Sequence, residues 1–453
     1  MAEPPENESS ALSERLDHDQ LLEWMRDQRW FASKSQTLAG VEIIEAAPLD
    51  DELVLALAQV QFATGGHELY QVLLAHRDDE LTSDVLAEPA NARRLLEAID
   101  DASEIHGAHG CFCFRHVGDG SHADRAAAAG PVRAMGAEQS NSSVVFGERL
   151  VLKLFRKLES GINPELEMLR FLTARDYPNI APLYGWYEYE GEALAATLAI
   201  AQQFVPDGTD GWELALEEIP RDADAFLEKI ATLGTATARL HSVLATDAGD
   251  PAFSPEEPSA ESVSLLKATL DDELERMFAR LPDDPRVAPI AGLEQEVREL
   301  ITLPSQTAIG GRNIRIHGDY HLGQTLYTQD GWTLLDFEGE PARPLPVRRA
   351  KRSPLRDVAS MLRSFSYASW AVELQLGQQP PPGFEERARE VFLSAYFDRV
   401  EPALLPTGDA QVRGLLAIFE LEKALYELQY ELDNRPDWVP IPVAGIARLL
   451  ESG

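Results

Sequence analysis

Asp319, Gln324 and Asp336 are the residues whose types and spacing best suit chemistry. The first two lie five positions apart in Ile316-His317-Gly318-Asp319-Tyr320-His321-Leu322-Gly323-Gln324. The third follows a Gly-containing turn and a short apolar segment, in Thr333-Leu334-Leu335-Asp336-Phe337-Glu338-Gly339-Glu340. Phosphoryl transfer calls for such parts: one carboxylate to accept a hydroxyl proton, and an amide oxygen with a second carboxylate to hold Mg2+ against phosphate oxygens. Asp319 takes the first role in this reading, Gln324 and Asp336 the second. Glu338 would add another acid near the metal. The competing reading is a polar hairpin with ordinary Asp turns, and the joint offsets of the three residues count against it.

A carboxylate, an amide five residues on, and a carboxylate after a strand is also the protein-kinase spacing, here with Gln in place of Asn. That spacing requires parts upstream. Lys153 stands in an apolar run, Leu150-Val151-Leu152-Lys153-Leu154-Phe155. A lysine in a buried strand needs an anion, which an ATP phosphate and a helix carboxylate would supply. Glu167, in the helical pattern after Asn163-Pro164, is the expected partner and Glu165 the alternative. An edge-strand lysine facing solvent is the competing reading. Ahead of this run, Gln139-Ser140-Asn141-Ser142-Ser143 occupies the position of a nucleotide loop. It has no Gly-rich pattern, but hydroxyls and backbone N–H groups at Ser140, Asn141, Ser142 and Ser143 can bind phosphate oxygens. Gln203-Phe204-Val205 closes the last apolar strand, as a hinge whose backbone pairs with adenine.

The elements that must hold these groups fall into successive stretches. Residues 1–10 read as a disordered tail, 11–130 as a small α+β unit, 131–205 as mostly β and 206–453 as mostly helical. Two strands flank a Gly147-Glu148 turn, a helix covers 165–174 with Asn163 as N-cap, and a strand covers 195–205. Helical periods follow at 226–244, 262–281, 293–303, 354–376, 384–400 and 412–432. In the last of these, Leu421, Ala424, Leu425, Leu428 and Leu432 form an apolar stripe, while Glu422, Tyr426, Gln429, Tyr430 and Asp433 share another face. Arg435 and Trp438 follow at once. Carboxylates, Arg and aromatic rings are what a sugar site uses, so Tyr426, Glu427, Tyr430, Arg435 and Trp438 are the sugar-contacting candidates. An ordinary surface helix with salt bridges is the alternative.

Composition bounds the rest. The 453 residues suffice for two or three domains. Forty Lys and Arg against 76 Asp and Glu give a net charge of −36, which disfavours nucleic acid and anionic membrane as partners. Most of that charge lies in 1–130 and 206–300, so a polyanionic nucleotide is not excluded elsewhere. The two cysteines, Cys111 and Cys113, make no disulfide framework and suit a reducing compartment. The first thirty residues hold acids and no apolar segment, and no apolar run approaches 18 residues, so a cytoplasmic protein is expected. His106, His109, His116 and His122 crowd the cysteines and make Zn2+ conceivable, but Phe112 and Phe114 alternate with them as in a strand. Residues 341–356 hold six cations and no acid. They read as closing over ATP phosphates, as stabilising the metal loop, or as a solvated loop.

The chain resembles the aminoglycoside-phosphotransferase-like kinases and, within them, the actinobacterial maltokinases. The resemblance spans nearly the whole chain. It rests on Arg29-Trp30-Phe31, Leu152-Lys153-Leu154-Phe155-Arg156 with Asn163-Pro164, the two motifs above, Arg343-Pro344-Leu345, the tract from Ser353 to Ser364, and Tyr426-Glu427-Leu428-Gln429-Tyr430-Glu431 with Asn434-Arg435-Pro436. It implies an α+β, bilobal protein-kinase-like fold, with a small β-rich N-lobe and a mostly α C-lobe preceded by an α+β N-terminal cap domain. It implies ATP- and Mg2+-dependent phosphorylation of the anomeric hydroxyl of maltose to maltose 1-phosphate, feeding glycogen or α-glucan synthesis. Carried over, Asp319 looks like the catalytic base, Gln324 and Asp336 like the Mg2+ ligands and Lys153 like the phosphate lysine. Asp357 would brace the catalytic loop and His317 serve its backbone. A trehalose-to-maltose isomerising enzyme is implied as a functional partner. A glucosamine kinase or other small-molecule kinase on the same scaffold is the first alternative, and a non-catalytic nucleotide-binding scaffold the second. The sequence departs from the kinase pattern in Phe-Glu after Asp336, and Tyr320 stands where relatives often have Leu.

Overall fold

The computed structural model describes residues 18–31, 33–77, 80–83, 86, 88–118, 130–135, 141–192, 194–246, 249–305 and 310–452. The expected tail at 1–10, Ser140 and His122 lie outside the described residues. The chain forms two compact units, 1–173 with 181–206, and 174–180 with 207–453.

The first unit begins with helix α1 (His18–Asp27) and antiparallel strands β1 (Leu38–Pro48), β2 (Leu53–Phe62), β3 (His67–Arg77) and β4 (Glu80–Ser83). Helix α2 (Pro89–Asp100) starts on Pro89, where the missing N–H costs nothing. Then come β5 (Glu104–His106), β6 (Gly110–His116), β7 (Val132–Ala134), β8 (Asn141–Phe146), β9 (Leu150–Phe155), β10 (Lys157–Leu158), helix α3 (Pro164–Thr173), β11 (Leu183–Gly191) and β12 (Ala195–Gln203). They make a five-stranded sheet, β1-β2-β3-β10 with β4 on β3, and a seven-stranded sheet, β5-β6-β11-β12-β9-β8-β7.

Strand pairing crosses the boundary expected at residue 130. β6 pairs with β11 along its length, so 104–116 belong to the sheet that holds Lys153. Conversely, β10 pairs with β3 and so joins the N-terminal sheet. One core explains this exchange. Leu53, Leu55, Leu57 and Leu73 of the first sheet share it with Phe112, Phe114, Leu152, Leu154, Tyr187 and Leu198 of the second. Val54, Ala56, Ala58 and Val60 point the other way, into a core with Leu21, Met25, Trp30 and Phe31. A strand buried on both faces reads as a continuous apolar run, and such a run does not reveal its partners.

The second unit opens with β13 (Thr209–Asp210), α4 (Gly211–Arg221), α5 (Ala223–Leu244), α6 (Ala260–Ala279) and α7 (Glu294–Ser305). A 3-10 turn at Leu322–Gln324 leads into β14 (Thr325–Thr328) and β15 (Gly331–Leu334). Helices α8 (Leu345–Arg348), α9 (Leu355–Leu376), α10 (Phe384–Phe397), α11 (Asp409–Asn434) and α12 (Pro440–Ser452) complete it. α9 is buried along most of its length and is packed by α4, α10, α11 and α12. Asp210 caps α4 by accepting from the N–H groups of Trp212 and Glu213. No helix among the described residues is long and apolar enough to cross a membrane.

Gly211 is where α4 meets the turn that follows Asp319. A Cβ there would collide with Thr325 Oγ1 and come 2.6 Å from the Leu322 carbonyl oxygen. Gly211→Ala should therefore destabilise the protein by about 1–3 kcal/mol through overpacking. Thermal denaturation should show a lowered Tm; an unchanged Tm would mean the turn gives way freely.

Candidate active site

The loop carrying Asp319 is anchored on Asp357, in the first turn of α9. The carboxylate accepts the backbone N–H of His317 at 2.8 Å and of Gly318 at 3.0 Å. His241 Nε2 of α5 lies 3.1 Å from the same carboxylate, and His241 Nδ1 lies 2.9 Å from the Tyr396 hydroxyl of α10. Burial by itself would raise the Asp357 pKa, but His241, the nearby His317 and the Gly318 N–H outweigh it and hold it below the ordinary range. His317 Nε2 donates to the Leu335 carbonyl at 2.7 Å, tying the loop to the segment before Asp336. Gly318 has φ +86°, and a Cβ on it would meet Gly339 Cα at 3.3 Å, so the loop needs glycine there. Tyr320 is fully buried, its hydroxyl 2.8 Å from Thr237 Oγ1 of α5.

Asp319 is thereby held at the surface of a rigid loop. Its Oδ1 lies 3.6 Å from Lys423 Nζ of α11, and its Oδ2 lies 3.9 Å from His321 Nε2. Lys423 also meets Glu340 at 3.0 Å, and Arg343 Nε meets Glu340 at 3.3 Å. Burial works against a charged Lys423, but Asp319 and Glu340 outweigh it and raise its pKa above the ordinary value. The same pairing lowers Glu340 despite its burial.

The residues expected to hold Mg2+ are adjacent in the same unit. The Leu335 N–H donates to the Gln324 carbonyl at 3.0 Å, which fixes the start of the Asp336 turn beside Gln324. Asp336 takes φ +60°, a left-handed conformation that Asp tolerates. A carboxylate oxygen of Asp336 lies within 4.8 Å of one of Glu338. Two close carboxylates are oxygen donors, which fit a hard divalent cation such as Mg2+. The basic run that follows is largely used within the unit. Arg348 donates to the Glu338 and Arg343 carbonyls, Lys351 pairs with Glu256, and Arg356 pairs with Glu422 while lying 4.5 Å from the Phe419 ring centroid.

In the first unit Lys153 is buried on β9, and its Nζ meets Glu165 at 2.8 Å. The carboxylate it meets there is the alternative, Glu165. Asn163 Oδ1 accepts the Glu165 N–H at 2.8 Å, so Glu165 opens α3 with its side chain buried, and Glu167, two residues on, projects from a different side of the helix. Asn141, Ser142 and Ser143 also differ from expectation. They are the first residues of β8, paired with Phe155, Leu154 and Lys153, and not a loop. The Ser142 hydroxyl accepts from Arg156 Nε at 2.8 Å, and Asn141 and Ser143 are buried. At the expected hinge, the N–H of Gln203 donates to the Pro182 carbonyl and that of Phe204 to the Arg149 carbonyl.

The sugar candidates lie on and just beyond α11. Tyr426 and Tyr430 are exposed, at 48% and 44%. Arg435 binds Glu431 through Nε and Nη2, and its guanidinium lies 5.3 Å from the Tyr430 centroid and 4.7 Å from that of Trp438. Trp438 in turn stacks on Tyr367 of α9, whose hydroxyl donates to Glu431 at 3.1 Å. Glu427 is the exception. It is buried against Arg363 of α9, which donates to Glu427 Oε2 at 2.9 and 2.7 Å. Its place on the inner side of α11 follows from the Arg363 pairing, which helical spacing alone does not reveal.

Comparison with known proteins gives the family and the fold. The family described as "Phosphotransferase enzyme family" matches residues 131–389, more than half of the chain. The chain belongs to the phosphotransferase enzyme family. A second match, "Maltokinase N-terminal cap domain", covers residues 24–101. A glucosamine kinase of Streptacidiphilus jiangxiensis is 28% identical over 332 residues, 69% of this chain and 72% of that protein. A glucosamine kinase of Mycolicibacterium smegmatis is 25% identical over 334 residues, 70% of this chain and 79% of that protein. The structure of a glucosamine kinase in complex with glucosamine, ADP and inorganic phosphate matches with a TM-score of 0.76 at 20% identity, covering 98% of this chain and 99% of that one. At that identity the likeness establishes the fold: a kinase-like fold with an N-terminal cap. This phosphotransferase is a kinase of sugar-kinase type with an alcohol group as acceptor.

Three residues around the candidate site were not singled out from sequence: Lys423, Glu340 and His241. Lys423 lies one turn before Tyr426 and Glu427, so helical spacing from the aromatic face was the signal available. His241 carries no sequence signal, since it meets Asp357 across 116 residues. Asp357→Ala would leave the two loop N–H groups and His241 without their acceptor, a loss of about 3 kcal/mol or more at roughly 1–3 kcal/mol per orphaned group. Because the folded pKa of Asp357 is depressed, its contribution is present above the ordinary carboxylate value of about 3.9. It is lost as pH falls through the folded value. Denaturant unfolding across acid pH should show the Ala variant less stable near neutrality, with the gap closing on acidification; a constant gap would contradict this.

Proposed function

We propose that this chain is a maltokinase, transferring the γ-phosphoryl group of ATP to the anomeric hydroxyl of maltose to give maltose 1-phosphate. The observation that carries the reading is the maltokinase cap match at residues 24–101. The C-terminal tract with Tyr426, Tyr430, Arg435 and Trp438 supports it, offering rings for sugar C–H faces and a guanidinium for hydroxyls. The two glucosamine kinase relatives favour a second reading, with glucosamine as the acceptor.

In this reading Asp319 orients the acceptor hydroxyl and takes its proton as the hydroxyl attacks in line. Lys153, fixed by Glu165, binds phosphate oxygens, and the Val205 N–H receives the adenine edge. Gln324, Asp336 and Glu338 would hold Mg2+, which would offset charge on the phosphates. Lys423, 3.6 Å from Asp319 Oδ1, keeps the carboxylate aimed. Product formation would feed glycogen or α-glucan synthesis in the cytoplasm, with a trehalose-to-maltose isomerising enzyme as source of the acceptor.

An acceptor panel of maltose, glucosamine, glucose and trehalose with labelled ATP tests the reading. Maltose should be phosphorylated with the highest kcat/KM, and glucosamine in first place would overturn it. Asp319→Asn should lose about 10²–10⁴-fold in kcat, with the circular dichroism of the wild type retained. Wild-type turnover in that variant would remove Asp319 from the role of base.

A further inference from the structure

Asp319 shares a cation with a second carboxylate. Asp319 and Glu340 bring two negative charges. Lys423 Nζ reaches both, at 3.6 and 3.0 Å, and Arg343 Nε meets Glu340 at 3.3 Å. Each of these two carboxylates therefore has a cation within 4 Å. The Lys423 side chain is only 21% exposed, so its field is weakly screened by water and salt. A base must lie within about 2.6–3.2 Å of the hydroxyl it serves. Any acceptor activated by Asp319 therefore sits a few ångströms from the Lys423 ammonium. A neutral sugar would meet a hydrogen-bond donor there. A protonated amino sugar would meet a like charge.

We infer that Lys423 is a specificity-determining residue that selects neutral sugar acceptors against ammonium-bearing ones by charge repulsion. The inference rests on the reading of Asp319 as the base of a sugar kinase. Lys423 is faced by Asp319 and His321 from the catalytic loop, by Glu340 and Arg343 from the segment after Asp336, and by Tyr426 and Glu427 on its own helix. Glu427 is committed to Arg363. Burial holds the His321 imidazole below its ordinary pKa.

The test compares kcat/KM for maltose and for glucosamine at about pH 6.5 and about pH 8.5 in the wild type, Lys423→Met and Lys423→Arg. An amine of this kind loses its proton near pH 8, as α-amino groups do. In the wild type, the preference for maltose should therefore narrow as the pH rises. Lys423→Met should reduce the preference at the lower pH by at least about tenfold, the scale of one like-charge contact in a partly buried site. It should also abolish the narrowing, while Lys423→Arg keeps both. Equal losses for the two acceptors in Lys423→Met would overturn the inference. So would a wild-type preference that does not change with pH, a measurement that needs no variant to fold. If another neutral sugar outperforms maltose, the maltokinase reading fails and the same ratios, taken with that sugar, still decide the role of Lys423. If glucosamine outperforms every neutral sugar at the lower pH, the charge inference fails as well.

Discussion

The buried carboxylate of Asp357 is the point on which the catalytic loop is hung. It accepts from two consecutive backbone N–H groups, at His317 and Gly318, and shares a contact with His241. A loop that must present Asp319 outward cannot satisfy its inner N–H groups with a strand partner, so a fixed acceptor has to come from elsewhere. α9 supplies it from its first turn, and α5 and α10 hold it in place through His241 and Tyr396. His317 then passes the constraint on through the Leu335 carbonyl to the turn that ends in Asp336. The proposed base and the proposed metal ligands are thus set by one anchor, and a shift of Asp357 would move both.

Around that anchor the protein manages charge more closely than its net value suggests. The sum is −36, yet Asp319 and Glu340 are matched by Lys423 and Arg343. The cations of 341–356 are mostly spent on carbonyls and carboxylates of the same unit. In the first unit Lys153 is paired and buried in the same manner. An acidic chain can handle a polyanionic substrate when its cations are held where the phosphates go and its acids lie elsewhere.

Much of the catalytic chemistry was legible because it is local. Asp319, Gln324 and Asp336 sit at offsets that one loop and one short hairpin enforce, and Asn163-Pro164 announces the start of α3. Partnerships were less legible. Lys153 needed a carboxylate, but choosing Glu165 over Glu167 required the direction in which the first turn of α3 faces. Ser142 looked available for phosphate until Arg156, fourteen residues away, claimed its hydroxyl. Glu427 shares a helix with Tyr426 and Tyr430 but turns inward to Arg363. Strand pairing across residue 130 has the same cause: β6 and β10 choose sheets by burial against distant strands.

By itself the sequence determined the class of chemistry, the order of the β-rich and helical stretches, and the residues that can transfer a proton or bind a cation, since these depend on side-chain identity and short-range spacing. The tertiary structure decided which charges neutralise one another, because Lys423 meets Asp319 and Glu340 across 104 and 83 residues of chain. It also decided which polar groups are spent on the fold and which remain for substrate. Pairing of that kind is set by burial and approach in space, and no local pattern encodes it.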